Sequence, residues 1–187
     1  MNRLLLALLT TLISAPAMAH PGHALAGVQS GFLHPFSGLD HLLVMLAVGL
    51  WAGRIGGKAR WQLPLTFVLV MALGAAFGMM GWLLPGIELG LAVSVLAMGL
   101  VVALQAPLAR VWQFGLVAGF ALLHGLAHGT ELAQHGAVAA MTGMLAATAL
   151  LHGAGLLLAG RRLALASVVQ RGIGAAIAVS GAWLLLA

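Results

Sequence analysis

The chain has 187 residues, of which 63% are hydrophobic and only 6% are charged. A soluble domain carries about a quarter charged residues, so this composition excludes a water-covered globule, and the mean hydropathy of +1.13 places the chain in a lipid bilayer. The net charge of +5 comes from dispersed basic residues, which does not favour a nucleic-acid partner. Because cysteine is absent, disulfides and thiolate metal sites are excluded, and a metal site would need His, Asp, Glu, Met or backbone ligands.

The N-terminal residues have the pattern of a secretory signal peptide. A short positive region and an apolar run lead to an A-x-A cleavage pattern at Ala17 to Ala19. The apolar run is too short to span a bilayer, which favours cleavage after Ala19 over an uncleaved first helix. Residues 1–19 are therefore predicted to be removed, and residues 20–187 to form a single domain that begins outside the cytoplasm.

Apolar runs between helix breakers predict an all-α bundle of six transmembrane helices. The predicted spans are residues 35–52, 64–84, 87–104, 111–130, 137–159 and 172–187. Beyond the signal, every basic residue falls in the first, third or fifth connection: Arg54, Lys58, Arg60, Arg110, Arg161, Arg162 and Arg171. The positive-inside rule then predicts a multi-pass protein of the bacterial inner membrane, with both mature termini in the periplasm.

Glycine spacing and one turn predict how these spans pack. Three glycine pairs stand four residues apart, a spacing that lets helix backbones approach closely: Gly49 and Gly53, Gly74 and Gly78, and Gly125 and Gly129. Pro85-Gly86 predicts a tight turn between two antiparallel helices, the second and third spans.

Ionisable side chains inside a bilayer are costly and usually functional, so their positions carry information. The acids are Asp40, Glu88 and Glu131, and no histidine falls in a predicted cytoplasmic connection. The eight histidines are His20, His23, His34, His41, His124, His128, His135 and His152. This asymmetry has no packing explanation and predicts a site in the outer half of the bundle.

The first motif contains His34, Asp40 and His41. In one regular helix the two histidines would lie about 10.5 Å apart along the axis, too far to share one ion. Pro35 disfavours a helical conformation for the residue before it, and Gly38 weakens the helix start. We therefore expect an irregular entry that brings His34 toward Asp40 and His41. A capping box, with Ser37 as N-cap and Asp40 at N3, is the structural alternative, and it explains neither histidine.

The second motif contains His124, His128 and Glu131. Spacings of four and three residues place all three side chains on one helix face. Histidines at i and i+4 also chelate zinc in H-E-x-x-H sites, but the catalytic Glu position of that motif is Gly125 here. A single intramembrane histidine is often only a hydrogen-bonded core residue, whereas two with a carboxylate favour a metal site. Imidazole and carboxylate suit Ni²⁺, Co²⁺ or Zn²⁺ rather than Cu(I).

Four further histidines are weaker candidates. His20 and His23 predict a metal-capturing N-terminal tip, and His135 a capture residue in an outer loop. His152, in the middle of the fifth span, is either a deeper relay ligand or a hydrogen-bonding strut. Glu88 is best interpreted as an anion that stabilises a helix N-terminus.

The sequence resembles the HupE/UreJ family of nickel and cobalt permeases. The resemblance rests on His-Pro-Phe-Ser-Gly-Leu-Asp-His at residues 34–41 and His-Gly-Leu-Ala-His-Gly-Thr-Glu at 124–131, with the signal and six spans fitting the whole chain. It implies metal uptake in support of hydrogenase or urease maturation. It also implies metal-binding roles for His34, Asp40, His41, His124, His128 and Glu131.

We therefore expect a secondary permease and not an enzyme. No ATP-binding Walker loop is present in the sequence. We expect no permanently bound cofactor, and we expect Ni²⁺ or Co²⁺ to be the transported ion. The lipid bilayer is the expected partner, and the sequence leaves open whether the protein forms a homo-oligomer. One alternative is an intramembrane zinc hydrolase with Asp40 or Glu131 as acid. Another is a cytochrome with haem between His124 or His128 and His152.

Overall fold

The computed structural model describes residues 23–131, 136–159 and 167–187, and these residues form seven α-helices and no strand. The helices are α1 His23–Ser37, α2 Leu39–Ile55, α3 Ala59–Met79, α4 Ile87–Leu104, α5 Arg110–Glu131, α6 Ala137–Ala159 and α7 Ser167–Leu184. The predicted all-α class is confirmed for this part of the chain. The predicted signal peptide, residues 1–19, lies outside it.

The helices α3 to α6 are each long and apolar enough to cross a membrane. The α1–α2 pair, which bends by 83° at Gly38, adds a fifth crossing if it is one broken span. The chain is therefore a multi-pass helical membrane protein. The helix α7, the predicted sixth span, does not meet the same criterion, because Gln170 and Arg171 lower the hydropathy near its start. Six spans thus remain a prediction.

The predicted spans 87–104 and 137–159 match α4 and α6 residue for residue. Two other predictions were wrong at their ends. The first span was expected to start at Pro35, but α1 runs through Pro35 to Ser37, and α2 starts at Leu39. The second was expected to reach residue 84, but α3 ends at Met79, and Gly81 adopts a φ of +88° that a helix cannot continue. The tight Pro85-Gly86 turn is therefore only the end of a longer connection, residues 80–86.

The helix α2 is the centre of the bundle and packs against α3, α4, α6 and α7. The other close pairs are α3 with α5, α4 with α7, and α1 with α6. The predicted glycine contacts are confirmed where they join these pairs. A Cβ on Gly125 or Gly129 would collide with the α3 backbone, and one on Gly49 with the backbone of His152 in α6.

Two helices carry the polar motifs to one end of the bundle. The helix α2 begins with Asp40 and His41 and ends near Arg54. The helix α5 runs the other way, from Arg110 to Glu131. The start of α2 contacts the end of α5 through His41 and His128, so the two helices are antiparallel and their histidine-bearing ends lie together, opposite the basic ends.

Candidate metal centre

Four imidazoles from three helices form one cluster at this end of the bundle. The His41 ring of α2 has its centroid 4.2 Å from that of His128 and 4.9 Å from that of His124, both in α5. His34, in the last turn of α1, is 4.8 Å from His128 and 5.9 Å from His41. The helices α2 and α5 are not among the closely packed pairs of the described bundle, so the imidazoles themselves bridge the two helices at this point.

The break between α1 and α2 brings His34 to the cluster. Gly38 adopts an extended conformation (φ −98°, ψ 119°), and a Cβ there would lie only 2.8 Å from Nδ1 of His41 and 2.9 Å from Oδ1 of Asp40. A side chain at position 38 would therefore disturb both residues. The expected irregular entry is confirmed: of its two predicted causes, the break lies at Gly38, and Pro35 lies inside α1.

The conformation of this entry differs from one local expectation and from the structural alternative. His34 is helical, because the preference against helix before proline is weak enough for α1 to continue through Pro35. The capping box is absent: Gly38 is the N-cap of α2 and no side chain caps the helix. The Ser37 hydroxyl instead donates to the main-chain oxygen of His34 at 2.7 Å.

Carboxylates orient two of the buried imidazoles. Nδ1 of His41 lies 2.7 Å from Oδ1 of Asp40, and Nδ1 of His128 lies 3.3 Å from Oε2 of Glu131. A carboxylate accepts hydrogen bonds, so each Nδ1–H donates and each Nε2 keeps a free lone pair. Both Nε2 atoms are buried and lack a hydrogen-bond partner among the described residues. Histidine ligands of metals are held in this way, with the second nitrogen bonded to a carboxylate.

A hydroxyl orients the third buried imidazole. The Ser94 hydroxyl of α4 donates to the main-chain oxygen of Leu91 at 2.6 Å, and its oxygen lies 2.9 Å from Nε2 of His124. Because the hydroxyl proton is already used, Nε2–H of His124 must donate to Ser94, which leaves the lone pair on Nδ1. Nδ1 of His124 is buried without a partner in the described structure. Sequence reasoning missed Ser94, although it is the only hydroxyl residue in α4.

The polar atoms form two overlapping ligand sets. His41, His124 and His128 each offer one atom, and these atoms lie within 4.8 Å of one another; the same holds for His34, His128 and Glu131. A metal at 2.0–2.1 Å from each nitrogen needs separations of about 3–4 Å, so a small contraction would close either set. The predicted ligand Asp40 belongs to neither set. It stands behind His41 and orients that ring.

Exposure divides the cluster into an exposed rim and a buried part. The Glu131 side chain is 56% exposed and that of His34 is 35% exposed. His41 is 8% exposed as a residue, and His124 and His128 are fully buried. An ion arriving from outside would therefore meet Glu131 and His34 first and the three buried imidazoles next.

The remaining predicted residues lie away from the cluster or outside the described part of the chain. His152 is buried deeper in α6, and Glu88 is exposed in the first turn of α4, where its interpretation as a helix-terminal anion places it. His20 and His135 lie outside the described residues. His23 begins α1, but its side chain is also outside them.

Comparison with known proteins shows the family. The family model described as HupE / UreJ protein matches residues 7–184. The chain belongs to the HupE/UreJ family. Protein HupE of Rhizobium leguminosarum bv. viciae is 43% identical to this HupE/UreJ protein over 185 residues, which cover 95% of this chain and 97% of the relative. No solved structure matches.

Membership of the HupE/UreJ family, whose members are associated with nickel and cobalt uptake for hydrogenase or urease, confirms the resemblance. The match spans both histidine motifs and all seven described helices. It gives no support to the intramembrane hydrolase.

Proposed function

We propose that this protein is a secondary permease that takes up a divalent transition metal, Ni²⁺ or Co²⁺, across the bacterial inner membrane for hydrogenase or urease maturation. The observation that carries the proposal is the set of three buried imidazoles, His41, His124 and His128, each with one nitrogen fixed and the other unpartnered. A buried acceptor without a partner costs about 1–3 kcal/mol. A metal ion that binds all three nitrogens removes that cost.

The donor set favours a borderline divalent ion. Three neutral imidazoles with a nearby carboxylate suit Ni²⁺, Co²⁺ and Zn²⁺, whereas Mg²⁺ and Ca²⁺ prefer all-oxygen sites and Cu(I) prefers sulfur. The Asp40 and Glu131 carboxylates would balance the charge of a divalent ion without entering the inner ligand set. This arrangement also accounts for two acids in an otherwise apolar chain.

The two ligand sets support a stepwise entry. Oε2 of Glu131 lies 3.6 Å from Nε2 of His34 and 3.3 Å from Nδ1 of His128, so these groups can receive an ion at the exposed rim. His128 belongs to both sets. It would offer Nδ1 to an ion at the rim when its ring proton is on Nε2, and Nε2 to the buried set when the proton is on Nδ1, bonded to Glu131. An ion would pass from the rim set to the buried set by exchanging one ligand at a time.

We further propose that the rim faces the periplasm, that both mature termini lie there after cleavage of residues 1–19, and that α7 is the sixth span. The basic residues at the opposite ends of α2 and α5, Arg54 and Arg110, support this orientation. Inward movement of a divalent ion along the membrane potential releases about 4.6 kcal/mol per 100 mV, twice the single-charge value. That energy is available without ATP.

Uptake of radioactive Ni²⁺ by proteoliposomes, with an inside-negative potential and with Co²⁺ or Zn²⁺ as competitor, tests the proposal. The intact protein should accumulate Ni²⁺, and His128→Gln should lose most uptake because His128 belongs to both ligand sets. Ser180→Ala is the control, since this exposed hydroxyl bonds only to Ala176 of its own helix. Absence of potential-driven uptake by the intact protein would contradict the proposal.

A further inference from the structure

A fourth buried imidazole lies outside both ligand sets. His152 of α6 is 1% exposed, and its Nδ1 lies 2.7 Å from the main-chain oxygen of Met45 in α2. A carbonyl oxygen only accepts, so Nδ1–H donates and Nε2 keeps its lone pair. Nε2 of His152 is buried and has no hydrogen-bond partner within the described helices. It therefore shares the property that marks His41, His124 and His128. These three belong to the four-imidazole cluster at the end of the bundle, the outer cluster relative to His152.

A structural bracing role accounts for only one of the two ring nitrogens of His152. The bond from Nδ1 to Met45 ties α6 to α2, but the two backbones are already in close contact through Gly49 and Gly155. A brace needs one nitrogen. A second, buried nitrogen without a partner costs about 1–3 kcal/mol, which a structural role does not explain.

An aromatic ring separates His152 from the outer cluster. Phe67 of α3 is fully buried, and its centroid lies 5.0 Å from that of His152 and 6.0 Å from that of His124. Phe67 thus contacts an imidazole of the buried ligand set and the deeper imidazole. An ion that moves between the two imidazoles would have to pass this ring.

Two side chains that can act as weak metal ligands lie near His152. Thr148 precedes His152 by one turn on the same face of α6, and its buried hydroxyl donates to Sδ of Met45 at 3.3 Å. The hydroxyl oxygen and the thioether can both contact a transition metal, and neither binds it tightly. One strong ligand with weak neighbours suits a station from which an ion must leave again.

We infer that Nε2 of His152 is a second, inner binding station for the divalent transition metal, which reaches it past Phe67 from the outer cluster. The inference rests on the proposed transport function and adds a stop on the inward path. The station would hold the ion through His152, with the Thr148 hydroxyl and the Met45 thioether as weak additional contacts. Release toward the cytoplasm would follow from it rather than from the outer cluster.

A cysteine at position 152 gives a direct test, because the natural chain contains no cysteine. On addition of Co²⁺ to purified His152→Cys, a near-ultraviolet thiolate-to-cobalt charge-transfer band should appear together with the visible bands of Co²⁺ in the outer cluster. Ala178→Cys, at a position that is also buried but lies in α7 against Gly99 of α4, should show only the visible bands. Visible bands without the charge-transfer band in His152→Cys would overturn the inference. Absence of visible bands in the unmodified protein would instead overturn the proposed function, and the inference with it.

His152→Asn separates the station from the brace. The asparagine amide can still donate to the Met45 oxygen, but it lacks the imidazole lone pair. We expect Co²⁺ affinity of the outer cluster to stay within about twofold of the unmodified value, while Ni²⁺ uptake by proteoliposomes falls at least about tenfold. Unchanged uptake by His152→Asn would show that His152 is only a brace. If that variant does not insert, the cysteine spectrum decides alone.

Discussion

Replacing Ser94 by alanine removes the oxygen that holds His124 in one tautomer. In the intact protein Nε2–H of His124 donates to Ser94 at 2.9 Å, which leaves Nδ1 free for a metal. In Ser94→Ala the metal-free protein can move the ring proton to Nδ1, which faces the unpartnered Nε2 lone pairs of His41 and His128, and so avoid a buried Nε2–H with no acceptor near it. The metal-bound protein cannot do so, because the ion occupies Nδ1. Most of the penalty therefore falls on the bound state.

The size of the effect follows from that penalty. A buried N–H without a partner costs about 1–3 kcal/mol. Since each 1.4 kcal/mol is a factor of ten in a binding constant, Ser94→Ala should weaken metal binding by about 5- to 150-fold. This range overlaps the losses in metal affinity of about 10- to 100-fold that follow removal of a group hydrogen-bonded to a metal ligand. Folding should change less, because the substitution only replaces a buried hydroxyl by hydrogen.

The assay is a titration of purified protein with Co²⁺, followed by its visible absorption, for the intact chain, Ser94→Ala and Ser180→Ala. Ser180→Ala makes the same chemical change at an exposed hydroxyl that bonds only within α7, so its affinity should stay unchanged. A second pair of titrations compares His124→Gln with the double variant His124→Gln, Ser94→Ala. Because Ser94 acts through His124, the double variant should bind no more weakly than His124→Gln alone.

Two results would refute the reasoning. Ser94→Ala with the affinity of the intact chain would mean that the His124 tautomer does not matter for binding. A further loss in the double variant would mean that Ser94 acts on the metal by a route other than His124.

Three further predictions concern other parts of the molecule. Asp40→Asn should raise the KM for Ni²⁺ uptake about 10- to 100-fold with little change in maximal rate, because Asp40 orients a ligand; a lost maximal rate would argue for direct ligation. Gly129→Val should lower the free energy of unfolding by about 1–3 kcal/mol or prevent insertion, because its Cβ would meet the Ala75 backbone. A melting curve like that of the intact protein would contradict this packing. A reporter fused after Arg60 should be cytoplasmic and one at His135 periplasmic; the reverse result would invert the topology.

The sequence predicted the helical parts of this protein well where composition alone decides the conformation. Long apolar runs must form helices in lipid, because no water is present to bond the backbone, and α4 and α6 match prediction at both ends. Residues 23–34 were not predicted to be helical. Their run has too many glycine and polar residues to resemble a span, and α1 is stable because it packs against α6.

The sequence by itself determined which residue types are available for a site and that His124, His128 and Glu131 share one helix face, since helical periodicity fixes that relation. Only the tertiary structure decided that His41 lies between His124 and His128, that Asp40 stands behind it, and that Ser94 selects a tautomer. Those relations join helices that are distant along the chain, and their distances depend on how the glycine-lined faces pack. No local pattern in the sequence contains that information.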